Sequence, residues 1–519
     1  MLASLPLPRI PAVFAIVCSI AGTLHSAVKL PALFSDHMVL QSGKPAAVWG
    51  WAAPGEEVRV STVGQTKTAQ AGPDGRWKVT LDAMKPSTTS TTLTVSGTNT
   101  VTIRDVLIGE VWLCSGQSNM AMTVNRAKDF EQEKAAAVWP QIRMFTVGGT
   151  FAAVPALEPA GAWVVCTPET VAAFSATAFF FGRELHKTLQ QPVGLINSSV
   201  GGTPIDAWIS AEAQQACDAL KPLFEAVKKE DAATDLAAAK AAYEKQLAEW
   251  PEAVKTARAE GKRLPRKPQD PVALRARKNN SGGLFNGKIA ALIPYTLRGV
   301  IWYQGEANTT PLKAPYYQHQ LPLLVQDWRA RWGDEFPFAW VQLPNFARPG
   351  EGWPLVREAM LKSLHVPQTG MAIALDIGEA NDIHPKNKQE VGRRLSAWAL
   401  GTVYGKDIET SGPLLANHEI KDGTVVLGFS HAKGLTSKGG ELKEFVIAGE
   451  DKQWQPAKAR IQDGKVILSS DAVPAPVAAR YAWKENPEAT LFNGAGLPAS
   501  PFRTDDWPVR SEKEVKRGK

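Results

Sequence analysis

Leu113-Cys114-Ser115-Gly116-Gln117-Ser118-Asn119-Met120 is the stretch on which the reading of this chain turns. It closes an apolar run, Val106 to Leu113, of the length and composition of a buried strand. It then passes through Gly116 into a polar turn, so the Ser118 hydroxyl stands just past a strand end. In open α/β sheets ligands bind at that end. A serine there does chemistry only if a base and oxyanion donors converge on it. Three later segments are able to supply them: Val200-Gly201-Gly202-Thr203, Trp302-Tyr303-Gln304-Gly305-Glu306 and Asn381-Asp382-Ile383-His384-Pro385.

Working outward, apolar strands alternate with amphipathic helices, which predicts a parallel sheet in an α/β domain over residues 106–405. The strand candidates are Val106–Leu113, Val193–Asn197, Gly299–Tyr303, Phe338–Leu343 and Met371–Asp376. The helix candidates are Ala172–Thr188, Tyr316–Trp332, Leu355–Leu364 and Lys388–Val403. Residues 211–278 interrupt the alternation. Leu236, Ala239, Tyr243, Leu247 and Trp250 recur at helical spacing, which predicts a long helix within an inserted helical hairpin, its apolar stripe used in packing.

Two flanking regions read differently. Residues 28–105 and 406–505 show short apolar runs between Gly, Pro and Asp turns, the pattern of small antiparallel β-domains of sandwich type. In the first these runs are Ala46–Trp51, Val58–Val60, Trp77–Leu81 and Thr91–Val95. In the second they are Thr424–Phe429, Glu444–Ala448, Lys465–Leu468 and Ala478–Trp483.

The chain has 519 residues and a net charge of +7, from 58 Lys and Arg against 51 Asp and Glu. The excess is concentrated in Pro251–Lys278 and in a basic tail over 506–519, which reads as solvated surface charge; no nucleic-acid partner is expected. Arg9 followed by the apolar stretch Ile10 to Leu24 reads as a signal peptide over 1–27, predicting a secreted or periplasmic protein. That run is short for a membrane span, and no other apolar run is long enough for one. Beyond Cys18, Cys114, Cys166 and Cys217 form an odd set, which argues against a disulfide framework. A Cys114–Cys166 bridge stays open beside the plainer reading of buried thiols.

The chemistry follows from what a serine hydroxyl lacks. It is a weak nucleophile until a base takes its proton. His384 is the candidate base, since it alone among the histidines sits between polar turn residues, after a predicted strand and before a helix. Asp382 either orients that imidazole or caps the following helix. Gly201-Gly202 lets backbone N–H groups approach a ligand, and the Gln304 amide offers a further oxyanion donor. The G-x-S-x-G elbow lacks its second glycine here. H-E-x-x-H, C-x-x-C, EF-hand, P-loop and G-x-G-x-x-G patterns are missing, so no metal and no cofactor is expected.

In order, these blocks resemble the sialate O-acetylesterase family, a branch of the SGNH hydrolases. The resemblance is carried by Phe34–Gln41, Val48–Ala52, Gly109–Met120, Val193–Ile196 with Gly201–Pro204 and Trp208–Ser210, Trp302–Glu306, Ile383–Pro385 and Gly496–Arg503. It implies an SGNH-type, flavodoxin-like three-layer catalytic domain with a parallel sheet, flanked by small β-domains. It implies Ser118 as nucleophile and His384 as general base, with Ser118, Gly202 and Gln304 forming the oxyanion hole. The substrate would be an O-acetylated carbohydrate, its ester cleaved through an acetyl-serine intermediate. Two departures bear on this. Gln304 stands where many relatives in the wider superfamily have asparagine. Asn381 occupies the usual aspartate position, with Asp382 one step later, so a third triad member or a Ser–His pair are both open. The alternatives are an esterase for acetylxylan or another polysaccharide, and a non-catalytic carbohydrate-binding protein. Oligomeric state is not legible.

Overall fold

One strand, Thr100–Gly116, organises the molecule. In this computed structural model, residues 27–508 are described, apart from 263, 266, 273–280 and 348–349. The expected signal peptide, save residue 27, and the tail beyond 508 lie outside the described residues. The first part of Thr100–Gly116 pairs antiparallel with Ser87–Ser96 of the N-terminal region. Its second part is the centre of the large sheet. The boundary expected at 105–106 therefore falls inside a continuous strand. It coincides with a break in register, where Asp105 takes a left-handed φ of 54° and its carboxylate bonds Arg143 and His37.

The sheet order is Thr369–Ile373, Phe338–Gln342, Gly299–Tyr303, Thr100–Gly116, Val193–Ser199, Trp139–Thr146 and Trp163–Cys166. Neighbours run parallel up to the last strand, which is antiparallel. All five expected strands are present. Trp139–Thr146 and Trp163–Cys166 are additional: Pro140, Gln141 and Arg143 break the apolar pattern of the first.

Each central strand is buried on both faces, which is why it reads as a continuous apolar run. Alternation decides which side a residue fills. Val111, Leu113, Val300 and Trp302 join the core that includes Leu321, Trp328 and Val356, from helices Tyr317–Trp332 and Gly352–Lys362. Trp112, Cys114, Ile301 and Tyr303 join the opposite core with Phe180, Leu395 and Trp398, from helices Ala176–Leu189 and Lys388–Trp398. Helices thus cover both faces of the sheet. Trp112, Trp208, Trp302, Trp328, Trp340 and Trp353 are all fully buried, so much of the tryptophan content is core.

The described part of 211–278 contains helices Ala211–Ala216, Lys221–Ala232 and Leu236–Ala259. The expected apolar stripe of the longest is only half-buried, with Trp250 Nε1 donating to Pro265 O at 3.0 Å. At the other end, small antiparallel sheets are built from Leu414–Lys421, Thr424–Ser430, Lys465–Ser469 and Lys458–Gln462, and from Gln455–Pro456, Phe445–Ala448, Ala478–Tyr481 and Phe502–Arg503. Buried Arg357 fastens this region to the α/β sheet. Its guanidinium donates to Leu343 O and Pro344 O on one side and to Lys484 O and Glu485 O on the other. Cys114 and Cys166 are buried and unbridged, the plainer of the two readings; burial pushes the Cys166 thiol up to about 12. Among the described residues no helix is long and apolar enough to cross a membrane.

Candidate active site

Register brings the first three blocks together. Gly116 pairs with Ser199 on one side and with Tyr303 on the other. The turns that begin at Gln117, Val200 and Gln304 therefore leave the sheet side by side, at the carboxyl ends of adjacent parallel strands. Two backbone bonds sew them: Gln117 N donates to Tyr303 O at 2.9 Å, and Val200 N to Gly116 O at 3.0 Å. Gly116 has a φ of 139°, and a Cβ there would lie 2.1 Å from Tyr303 O. Only glycine permits strands to meet this closely as the chain turns.

Ser118 opens the short helix Ser118–Ala121 and is half-buried. Gly201 lies against it: a Cβ added to Gly201 would sit 3.4 Å from Ser118 Cβ. Gly202 follows with a left-handed φ of 71° and open space around it. Among the described residues no backbone carbonyl accepts from the N–H of Ser118 or Gly202. Both donors are thus available to an oxygen placed above Ser118.

His384 comes from the loop beyond Thr369–Ile373. Asn119, next to Ser118, donates from Nδ2 to Ile383 O, next to His384, at 2.9 Å. A single hydrogen bond therefore joins the nearest neighbours of the two residues that the sequence pairs, although they stand 266 positions apart in the chain. A second tie holds the same loop, Lys128 N donating to Lys386 O at 2.8 Å.

Asp382 does not cap the following helix, and it pairs with the His384 ring at ion-pair rather than hydrogen-bond distance. Its Oδ1 accepts the backbone N–H of His384 at 3.0 Å, and stands 3.7 Å from His384 Nδ1, too long for a hydrogen bond to the ring. The helix Lys388–Trp398 is capped by Asn387, whose side chain accepts from Glu390 N. Asp382 folds the loop back on itself, with its side chain 47% exposed.

Gln304 also departs from expectation. It is fully buried, and its Nε2 faces Asn308 Oδ1 at 2.7 Å, Thr203 O at 3.1 Å and Gln117 Oε1 at 3.3 Å. Its Oε1 accepts from Tyr317 Oη at 3.0 Å. A side-chain amide has two hydrogens, and both are engaged. Instead of presenting a free donor, Gln304 cross-links the three turns from below.

The pattern did not single out Asn119, Lys388 and Glu306, which lie buried around the Ser118 turn. Glu306 carries a signal, a charge closing the apolar, glycine-containing block Trp302–Glu306, whereas Lys388, among Lys386, Asn387, Gln389 and Glu390, carries none. A cavity of about 340 Å³ lies elsewhere, between helix Gly352–Lys362 and the Arg503–Pro508 segment; Ser118, Gly202, Gln304 and His384 do not line it.

Comparison with known proteins shows the family. Residues 108–257 and 284–400 match the family described as carbohydrate esterase, sialic acid-specific acetylesterase. The sialate O-acetylesterase of Rattus norvegicus is 31% identical, over 90% of this chain and 92% of the rat protein. That of Homo sapiens is 29% identical, over 93% and 94%. The crystal structure of a novel carbohydrate acetylesterase from Xanthomonas citri superposes with a TM-score of 0.77 at 36% identity, covering 92% of this chain and all of that one.

Proposed function

The chain belongs to the sialic acid-specific acetylesterase family of carbohydrate esterases, and from that premise we propose that it hydrolyses O-acetyl esters of sialic acids at an SGNH-type serine site. Ser118 Oγ attacks the acetyl carbonyl carbon while His384 takes the hydroxyl proton. Negative charge developing on the carbonyl oxygen is received by the N–H groups of Ser118 and Gly202. His384 then returns the proton to the sugar oxygen as the ester C–O bond breaks, leaving acetyl-Ser118. Water, deprotonated by His384, attacks this second ester; the C–Oγ bond breaks, His384 passes the proton to Ser118 Oγ, and acetate leaves. Gln304 keeps the Gln117 and Thr203 turns at fixed spacing. Asp382 accepts the His384 backbone N–H and shapes the loop that carries the base.

The observation that carries this reading is the Asn119–Ile383 hydrogen bond, which ties the serine turn to the histidine loop. Likeness to sialate O-acetylesterases over nine-tenths of the chain supports the sugar. The apolar stretch before residue 25 supports export, to the periplasm or the medium. The test is acetate release from 9-O-acetyl sialosides beside acetyl-xylan, with wild type and Ser118→Ala. Wild-type release from the sialosides, lowered by at least about 10³-fold in Ser118→Ala, is expected. Release from xylan alone would replace the substrate. Equal background rates in both proteins would mean a binding role.

A further inference from the structure

A buried polar cluster beneath the Ser118 turn has no part in the proton transfers above. Asn119 and Lys388 have no exposed surface, and Glu306 has 3%. Asn119 Nδ2 donates to Glu306 Oε1 at 2.5 Å as well as to Ile383 O, and Asn119 Oδ1 accepts from Lys388 Nζ at 2.6 Å. Lys388 begins the helix Lys388–Trp398, four residues after His384, and its Nζ stands 5.1 Å from the centre of the Tyr303 ring. Among the described residues Glu306 Oε2 has no hydrogen-bond partner.

Stability does not account for such a cluster. Burying opposite charges costs several kcal/mol per ion, and apolar groups of similar volume are often neutral or stabilising in their place. What the cluster does is geometric. One amide, on the residue after Ser118, is bonded to the segment holding His384 at both ends, residue 383 and residue 388. Glu306 fixes the rotamer of that amide from the neighbouring strand end. A change of a few tenths of an ångström here moves the imidazole relative to the hydroxyl, and a misplacement of about 1 Å can cost roughly 10²-fold in rate.

We propose that Lys388 and Glu306 are positioning residues which, through Asn119, set the approach of the His384 imidazole to the Ser118 hydroxyl. The proposal rests on the reading of Ser118 and His384 as nucleophile and base.

The charges around Lys388 add a pH dependence. Burial pushes its ammonium down to about 7, against the carboxylates of Glu306, Glu379 and Asp382, with Arg126 acting in the same direction as burial. Burial likewise raises the Glu306 carboxyl, while its Asn119 bond and the Lys388 charge lower it. The cation gives the stronger, charge-assisted bond to Asn119. That bond weakens as pH rises through about 7 and Lys388 loses its proton.

The experiment measures kcat, KM and Tm of wild type, Lys388→Met, Lys388→Arg and Ser118→Ala on para-nitrophenyl acetate between pH 5 and 9. Lys388→Met should lose at least about tenfold in kcat, with KM within about twofold, and its Tm should fall as well, since removing the cation leaves the Glu306 carboxylate buried without it. Lys388→Arg, charged throughout, should recover most of that loss. It should also lack the alkaline fall in kcat expected of wild type. A Lys388→Met kcat within twofold of wild type, with Ser118→Ala inactive, overturns the positioning role alone. Wild-type turnover in Ser118→Ala overturns the nucleophile beneath it. If Lys388→Met does not fold, Asn119→Asp keeps the acceptor for Lys388 and loses both donations. A kcat-specific loss there supports the proposal, and wild-type kcat sinks it.

Discussion

The serine turn and the histidine loop are held by different balances of backbone and side-chain bonds. The turn after Gly116 is fastened by backbone groups: Gln117 N to Tyr303 O, Val200 N to Gly116 O, and Met120 and Ala121 N to Gln117 O. The loop before Lys388 has backbone ties, Ala347 N to Ala380 O, Asp382 N to Glu379 O and Lys128 N to Lys386 O, and adds side chains to them. Asn345 Oδ1 accepts Gly378 N, Glu379 Oε1 accepts Lys386 N, Asp382 accepts His384 N, and Asn387 caps the helix. Backbone ladders fix a position within a rigid sheet and tolerate side-chain change. Side-chain ties can be tuned one at a time, and they fail one at a time. The nucleophile is thus built into the sheet, while the base is adjusted to it.

Gly116→Ala breaks that contrast most severely. The methyl would meet the Tyr303 carbonyl at 2.1 Å, at a φ of 139° that alanine disfavours. Separation of the two strands is expected to cost about 3 kcal/mol or more, read as a shift in urea midpoint. A stability within about 1 kcal/mol of wild type would show that the turn is not held by the sheet at all.

Gln304→Ala sharpens it at an intermediate level. The substitution removes one bond from each of Asn308 Oδ1, Thr203 O, Gln117 Oε1 and Tyr317 Oη; Ile205 N, Ala307 N and the residue 304 carbonyl still serve Asn308, Gln117 and Tyr317, so the buried Thr203 carbonyl is the group left short. An unmade buried bond costs about 1–3 kcal/mol, so Tm and kcat should fall together. A true oxyanion donor would behave differently, losing about 2.7–4 kcal/mol in the barrier with stability intact. Calorimetry beside steady-state kinetics separates the two.

What could be read in the sequence follows the same division. Strands such as Gly299–Tyr303 and helices such as Tyr317–Trp332 announce themselves, because burial on both faces or on one stripe imposes a period. The turns that follow them inherit their place from the sheet, so Ser118, Gly202 and Gln304 could be grouped before any geometry was known. Trp139–Thr146 escaped because buried Arg143 is satisfied by distant Asp105, a pairing no local pattern encodes. Lys388 and Glu306 escaped for the same reason: a charge in a helix start or a turn reads as solvated until the fold buries it. The role of Asp382 turned on a loop conformation within three residues, which spacing alone leaves free.

Asp382→Asn has the smallest expected effect and tests the adjustable side of the contrast. Asparagine keeps an Oδ1 to accept the His384 backbone N–H, the bond that the aspartate makes at 3.0 Å. The imidazole loses only a carboxylate 3.7 Å away and half-exposed, where solvent screening leaves such a pair about 0–1 kcal/mol. A kcat within about fivefold of wild type is therefore expected, whereas replacing a buried triad aspartate by asparagine costs on the order of 10⁴-fold. Asp382→Ala, which removes the acceptor as well, should fall further than Asp382→Asn, because the loop loses the bond that folds it over His384. If instead both variants fell equally and by orders of magnitude, the carboxylate would be closing on the ring during turnover, and the base would be a member of a triad.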